Sequence, residues 1–117
     1  EAHLGCSPDE QVRWLWEAWH GAQAARGAGV DMRAVTLWSA FGAYDWDSLV
    51  TRFEGHYEPG AYDVRGASPV TTDLARVARE LAREGRSTHP ALASPGWWRH
   101  DTRVIHDPPC ALQAQAP

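Results

Sequence analysis

Apolar positions along the chain fall into two stripes of helical spacing separated by one short run of β-formers. In the first stripe Val12, Leu15, Trp16 and Trp19 recur at i, i+3, i+4 and i+7, and Ala22 continues the same face. Ser7-Pro8-Asp9-Glu10 supplies the start: a serine cap, a proline at the first helical position and a glutamate placed to close a capping box. Gly27 and Gly29 stop the helix. The second stripe, Leu74, Val77, Ala78 and Leu81, repeats the spacing; Pro69 is read as its opening and Gly85 as its end. Between the stripes, Met32-Arg33-Ala34-Val35-Thr36-Leu37-Trp38 carries its charge near the start and then runs apolar, as a strand covered on both faces does.

From Ser39 to Pro69 the chain is dense in Gly, Asp, Tyr and Trp and has no sustained period, which predicts a long functional loop with a turn at Glu58-Pro59-Gly60. Past Gly85 the punctuation of His89-Pro90, Ser94-Pro95-Gly96 and Pro108-Pro109 reads as linker, with Trp97-Trp98 expected to dock and Ala111 to Pro117 expected to be disordered. The order is strand end, helix, strand, long loop, helix. Such a βαβα unit cannot cover both faces of a two-strand sheet, and an independent α/β domain needs at least two or three further strands. The fold class is therefore read as α/β, a piece of a (β/α)8 TIM barrel, which takes ~250 residues in all. Opening on Glu1 rather than a methionine, the chain is expected to have lost its upstream part, so a targeting signal cannot be judged.

Composition changes this picture only by exclusion. The chain of 117 residues is 44% hydrophobic and 22% charged, with no apolar run long enough for a bilayer, so no membrane is expected. A net charge of -4, with arginines scattered singly, offers no basic stripe for a phosphate backbone and argues against nucleic acid. All eleven basic residues are arginine, a bias without functional weight. Cys6 and Cys110 form neither a CxxC pair nor a disulfide framework, which fits idle thiols in a reducing cytoplasm. His3 with Cys6 and His106 with Cys110 have half-site spacing for zinc, but the second pair sits in a Pro-rich tail; no metal and no cofactor are expected.

Three places carry candidate chemistry: Glu1 at the end of one presumed strand, Trp38-Ser39 at the end of the next, and Asp45-Trp46 in the loop that follows. In a (β/α)8 barrel all would face the catalytic rim at the carboxyl ends of the strands. An indole is apolar on its face and a donor at its edge, which suits a pyranose ring with C–H faces and peripheral hydroxyls.

Here the sequence resembles family 1 glycoside hydrolases, whose last two strands read TENG and then, after a helix, WSxxDNFEW followed by a segment like GYxxRFG. Glu1 falls on the glutamate of the first motif. Trp38, Ser39, Tyr44, Asp45 and Trp46 fall without a gap on the W, S, F, E and W of the second, and Arg52-Phe53 follows one residue early. Tyr62-Asp63 and the helix from Pro69 occupy the places of the final turn and last helix. The resemblance implies that residues 1–85 are the end of strand 7, helix 7, strand 8, a long βα loop and helix 8, with 86–117 a Pro-rich linker or disordered tail. Ala2-His3 replaces Asn-Gly, Gly42-Ala43 replaces Asp-Asn, and Asp45 replaces the glutamate that grips a sugar hydroxyl, so the choice of sugar does not carry over.

By the family's mechanism Glu1 is the nucleophile of a retaining, β-glucosidase-like hydrolase, paired with a second carboxyl ~5 Å away. That acid belongs to strand 4, outside this chain, which leaves the segment inactive by itself. Trp38 would floor the subsite, with Asp45 and Trp46 binding hydroxyls. His56-Tyr57-Glu58-Pro59-Gly60 and Gly96-Trp97-Trp98-Arg99 resemble a subgroup in which the barrel precedes a dTDP-4-dehydrorhamnose reductase-like domain. The partners implied are a carbohydrate, the rest of the barrel and that domain. The alternative function is a degenerate barrel that binds a sugar or nucleotide sugar for the reductase. Simpler roles stand beside these: Glu1 as a solvated charge, Trp38 as core, Asp45 and Asp47 as turn caps, and Trp14, Trp16 and Trp19 as helix packing.

Overall fold

The computed structural model describes residues 2–3, 5–48 and 51–104, and its architecture is a mixed one of two helices and two small sheets. Helix α1 spans Pro8–Gly27. Ser7 caps it, its hydroxyl accepting from the Glu10 N–H at 3.4 Å, and Pro8 opens the first turn. The reciprocal half of the expected capping box is not made. Instead the Glu10 carboxylate accepts from the Arg13 guanidinium and from the Trp97 N–H at 3.3 Å.

Helix α2 spans Asp73–Glu84 and stops at Gly85, whose φ of 70° is the left-handed C-terminal conformation. Its start lies after the predicted Pro69, because Val70–Thr71 is claimed by a ladder. Four two-residue strands make up the sheets: β1 (Ala43–Tyr44) pairs antiparallel with β2 (Tyr57–Glu58), and β3 (Tyr62–Asp63) pairs antiparallel with β4 (Val70–Thr71). The Thr72 hydroxyl donates to the carbonyls of Gly60 and Ala61, both at 2.9 Å, rather than capping α2. The 39–69 stretch is thus a loop stiffened by short ladders.

Both apolar stripes meet in one core. Val12 and Leu15 of α1 and Leu74, Val77 and Leu81 of α2 are buried together with Ala2 and Ala91. Each full burial of a Leu or Val side chain contributes about 1.5–3 kcal/mol. The Met32–Trp38 run does not become a continuous strand. Among the described residues it pairs only at Leu37, by a parallel bridge to Ala2, because one short neighbour cannot support a longer ladder. Its side chains nevertheless alternate: Val35 and Leu37 pack on the core, while Ala34 and Thr36 are exposed on the other face.

After α2 the chain forms short turns at Pro90–Ala93, Trp97–Arg99 and Asp101–Val104, and the first two pack along α1. Arg13 Nε donates to the Ala91 carbonyl at 2.8 Å, Arg99 pairs with Glu17 at 2.7 Å, and Trp98 stands edge-on to Trp14 with centroids 4.9 Å apart. The Arg99 guanidinium holds the Glu17 carboxyl below its ordinary range against a smaller opposing effect of burial. Residues 105–117, with His106, Cys110 and the expected disordered end, lie outside the described residues. Among the described residues no helix is long and apolar enough to cross a membrane.

Two substitutions separate core packing from backbone geometry. Leu81→Ala empties a buried site and is expected to cost about 2–4 kcal/mol in denaturant unfolding. Gly85→Ala meets open space but places a Cβ at positive φ, and is expected to cost about 1 kcal/mol.

Candidate functional site

The site begins with the Ala2–Leu37 bridge. Ala2 N–H donates to the Thr36 carbonyl at 2.7 Å and Trp38 N–H donates to the Ala2 carbonyl at 3.0 Å, so His3 and Trp38 emerge side by side above α1. The Trp38–Ser39 peptide is cis. The His3 ring meets the Trp38 indole edge-on, with centroids 5.0 Å apart and an 83° interplanar angle. His3 Nδ1 lies 3.3 Å from the Trp38 carbonyl, which can only accept, so Nδ1 carries the hydrogen in that contact. His3 Nε2 stands 3.1 Å from Glu58 Oε2. That oxygen is buried and makes no well-aligned hydrogen bond, which leaves the contact a charge pairing available when His3 is protonated.

Beyond Ser39 the chain runs beside 60–62: Ala61 N–H donates to Ser39 O at 2.9 Å, Tyr62 N–H to Ala40 O at 2.9 Å, and Gly42 N–H to Tyr62 O at 3.1 Å. The two backbones approach closely enough that a Cβ on Gly60 would lie 2.6 Å from the Ser39 carbonyl oxygen. This packing carries the chain into β1 and then the turn at 45–48, which returns Trp46 over Trp38. The two indoles lie 4.8 Å apart, centroid to centroid, and are tilted by 33°. Trp46 remains 43% exposed, so the pair presents an aromatic surface to solvent.

Asp45 takes a different place from the one expected of a sugar ligand. It is only 4% exposed and sits at φ 54°, a left-handed conformation that Asp tolerates better than most residues. Its N–H donates to the His56 carbonyl at 2.7 Å, and its Oδ1 accepts from the His56 N–H at 2.9 Å. Ser48 Oγ donates to the Asp45 carbonyl at 3.1 Å. The Asp45 carboxylate thus accepts from backbone across the turn. Asp47 also points at His56: its Oδ2 lies 2.8 Å from Nδ1. That hydrogen bond lowers the Asp47 carboxyl and raises His56, against the opposing effect of burial at each.

Glu1 lies outside the described residues, so the relation of its carboxylate to Trp38 is not drawn. Trp38 and Trp46 come together, while Asp45 is buried and bonded to the backbone of His56. The contacts of His3, Glu58 and His56 join positions as far as 55 residues apart in numbering, and no local period marks them. Phe53, in the RF match, is 93% exposed, and Arg52 pairs with Glu54 at 3.4 Å. The hollow lined by Ala2, His3, Leu37 and Trp38 encloses about 10 Å³, room for one water and not for a pyranose. Among the described residues no cluster of three or more His, Cys, Asp or Glu could hold a metal ion.

Asp45 can be tested by two replacements that differ in one capability. Asp45→Ala removes the acceptor for the His56 N–H and is expected to cost about 1–3 kcal/mol of local stability, read as faster amide exchange at His56. Asp45→Asn keeps an oxygen acceptor and tolerance of positive φ, and is expected to retain most of the protection.

Compared with protein-family models, with curated proteins and with solved structures, the chain matches none.

Proposed function

We propose that this chain is the last quarter of a (β/α)8 barrel and contributes to a retaining, β-glucosidase-like glycoside hydrolase, with Glu1 as nucleophile and Trp38 and Trp46 as the floor of the sugar subsite. The observation that supports the reading is the parallel Ala2–Leu37 bridge spanned by α1, a parallel connection across a helix of the kind that recurs in such barrels. Alternation along 34–37 supports it: one face packs on helices, while Ala34 and Thr36 on the other await the interior layers that further strands supply. The tilted, half-open indole pair supports the sugar role, because it offers an apolar surface matched to pyranose C–H faces.

In this reading Glu1 attacks the anomeric carbon as a second carboxylic acid, from elsewhere in the barrel, protonates the leaving oxygen; water then releases the glycosyl ester with that residue as base. Neither metal nor cofactor enters the chemistry. Asp45 acts indirectly by holding the turn that bears Trp46. The proposed compartment is the cytoplasm, in keeping with the exposed free thiol of Cys6.

Burial of Asp45 favours a second reading, because the carboxylate that should grip a hydroxyl is engaged with backbone. Under it the complete protein is a degenerate barrel that binds a sugar or nucleotide sugar for a fused dTDP-4-dehydrorhamnose reductase-like domain.

Kinetics of the complete protein distinguish the two. Glu1→Gln keeps size and an acceptor oxygen but cannot form the glycosyl ester, so turnover of an activated aryl glycoside is expected to fall by at least about a thousandfold with sugar binding retained. Trp46→Ala is expected to weaken sugar binding about tenfold through lost stacking. Nucleotide-sugar binding without any glycoside turnover, unchanged by Glu1→Gln, would replace the hydrolase with the binding module.

A further inference from the structure

Trp46 has Asp45 on one side and Asp47 on the other, and both neighbours are bound to a single residue, His56. The backbone of His56 exchanges two hydrogen bonds with Asp45, through its carbonyl at 2.7 Å and its N–H at 2.9 Å. Its ring reaches Asp47 Oδ2 from Nδ1 at 2.8 Å. The turn between them is closed by Ser48 Oγ, which donates to the Asp45 carbonyl at 3.1 Å. Trp46 is therefore aimed at Trp38 by a clamp with one end in backbone and one in a titratable ring. The charged groups acting on His56 are Asp47 and Asp45 from the turn and Glu58 from β2, all acidic.

We propose that His56 is a proton-operated positioning residue: protonated, it grips Asp47 and holds the Trp46 indole over Trp38, and deprotonated it loosens that aromatic surface. The consequence for sugar binding rests on Trp38 and Trp46 being the sugar floor; the clamp itself does not. Protonation turns the Nδ1–Oδ2 contact from a hydrogen bond between a neutral imidazole and a carboxylate into an imidazolium–carboxylate pair, which is shorter and stronger. The signs follow from the pairing. His56 is raised above its ordinary 6.5, so its contribution is fully present below 6.5 and is lost as pH rises through the raised value. Asp47 is lowered below its ordinary 3.8, so its contribution is present above 3.8 and is lost as pH falls through the lowered value. The grip is firmest between those limits.

Circular dichroism of the complete protein without sugar reads the clamp directly, because two indoles held close and skewed to one another give an exciton couplet. Trp14–Trp98 and Trp97–Trp98 also lie close, so the Trp38–Trp46 signal is taken as the difference between wild type and Trp46→Phe. That difference couplet is expected to be strong near about pH 5.5 and to lose at least about a third of its amplitude by about pH 8.5, in one titration step above the ordinary histidine value. His56→Asn, whose amide nitrogen takes the place of Nδ1 but cannot charge, is expected to keep the couplet and lose its pH dependence. Asp47→Asn is expected to lose the pH dependence as well. A couplet that is absent at every pH, one constant from about pH 5.5 to 8.5, or an unchanged titration in His56→Asn would each overturn the proposal. Since no sugar is present, such a result leaves the hydrolase reading to its own test at Glu1, and loss of that reading leaves this titration standing.

Discussion

Two hydrogen bonds, Ala2 N–H to Thr36 O at 2.7 Å and Trp38 N–H to Ala2 O at 3.0 Å, set the register on which the site depends. A slip of one residue would turn Leu37 away from the core and Trp38 into it, because side chains alternate along an extended chain. In the register found, Ala2 and Leu37 face the helices, and His3 meets Trp38 edge-on. The small side chain of Ala2 matters here: it is buried between the stripes of α1 and α2, where a larger residue would have to displace Val12, Leu15 or Leu74. Backbone pairing and helix packing thus constrain the same short segment from opposite sides.

The helices were legible in the sequence because period and punctuation agree. Ser7-Pro8 and Gly85 sit at the ends where capping physics wants them, and Leu74, Val77 and Leu81 all reach the core. Pro69 misled because its fixed φ suits both a first helical turn and the residue before an edge strand, and only the pairing of β3 with β4 decides between these. The 32–38 run misled in another way. Its composition reports how it behaves when flanked by strands, whereas here its only described partner is Ala2, through a single bridge. Segment 86–104 read as linker because prolines break its periodicity, yet Arg13, Glu10 and Glu17 supply side-chain partners that no period reveals.

The site was legible only in part, for a reason of chain distance. Trp38 and Trp46 are eight positions apart and come together through β1 and one turn, which a motif can encode. His3 and Glu58 meet only after the β1–β2 ladder has brought residue 58 back to the start of the chain. The hydrogen bonds that make this return are local and polar, and they leave Phe41, Tyr44, Trp46 and Phe53 exposed.

Chain length at position 45 decides how the carboxylate there is used. Aspartate has one methylene, so a backbone in the left-handed region at φ 54° brings Oδ1 within 2.9 Å of the His56 N–H across the closing strands. A glutamate at this place would carry its carboxylate one carbon further, out of register with that N–H. The shorter residue exchanges reach for closure. Closure has its own effect on binding, because an aromatic surface fixed in advance loses less conformational freedom when a ring settles on it. Asp45 therefore bears on the Trp38–Trp46 pair through the rigidity of the turn, while His3, edge-on to Trp38 and 3.1 Å from Glu58 Oε2, places polar atoms beside the indoles.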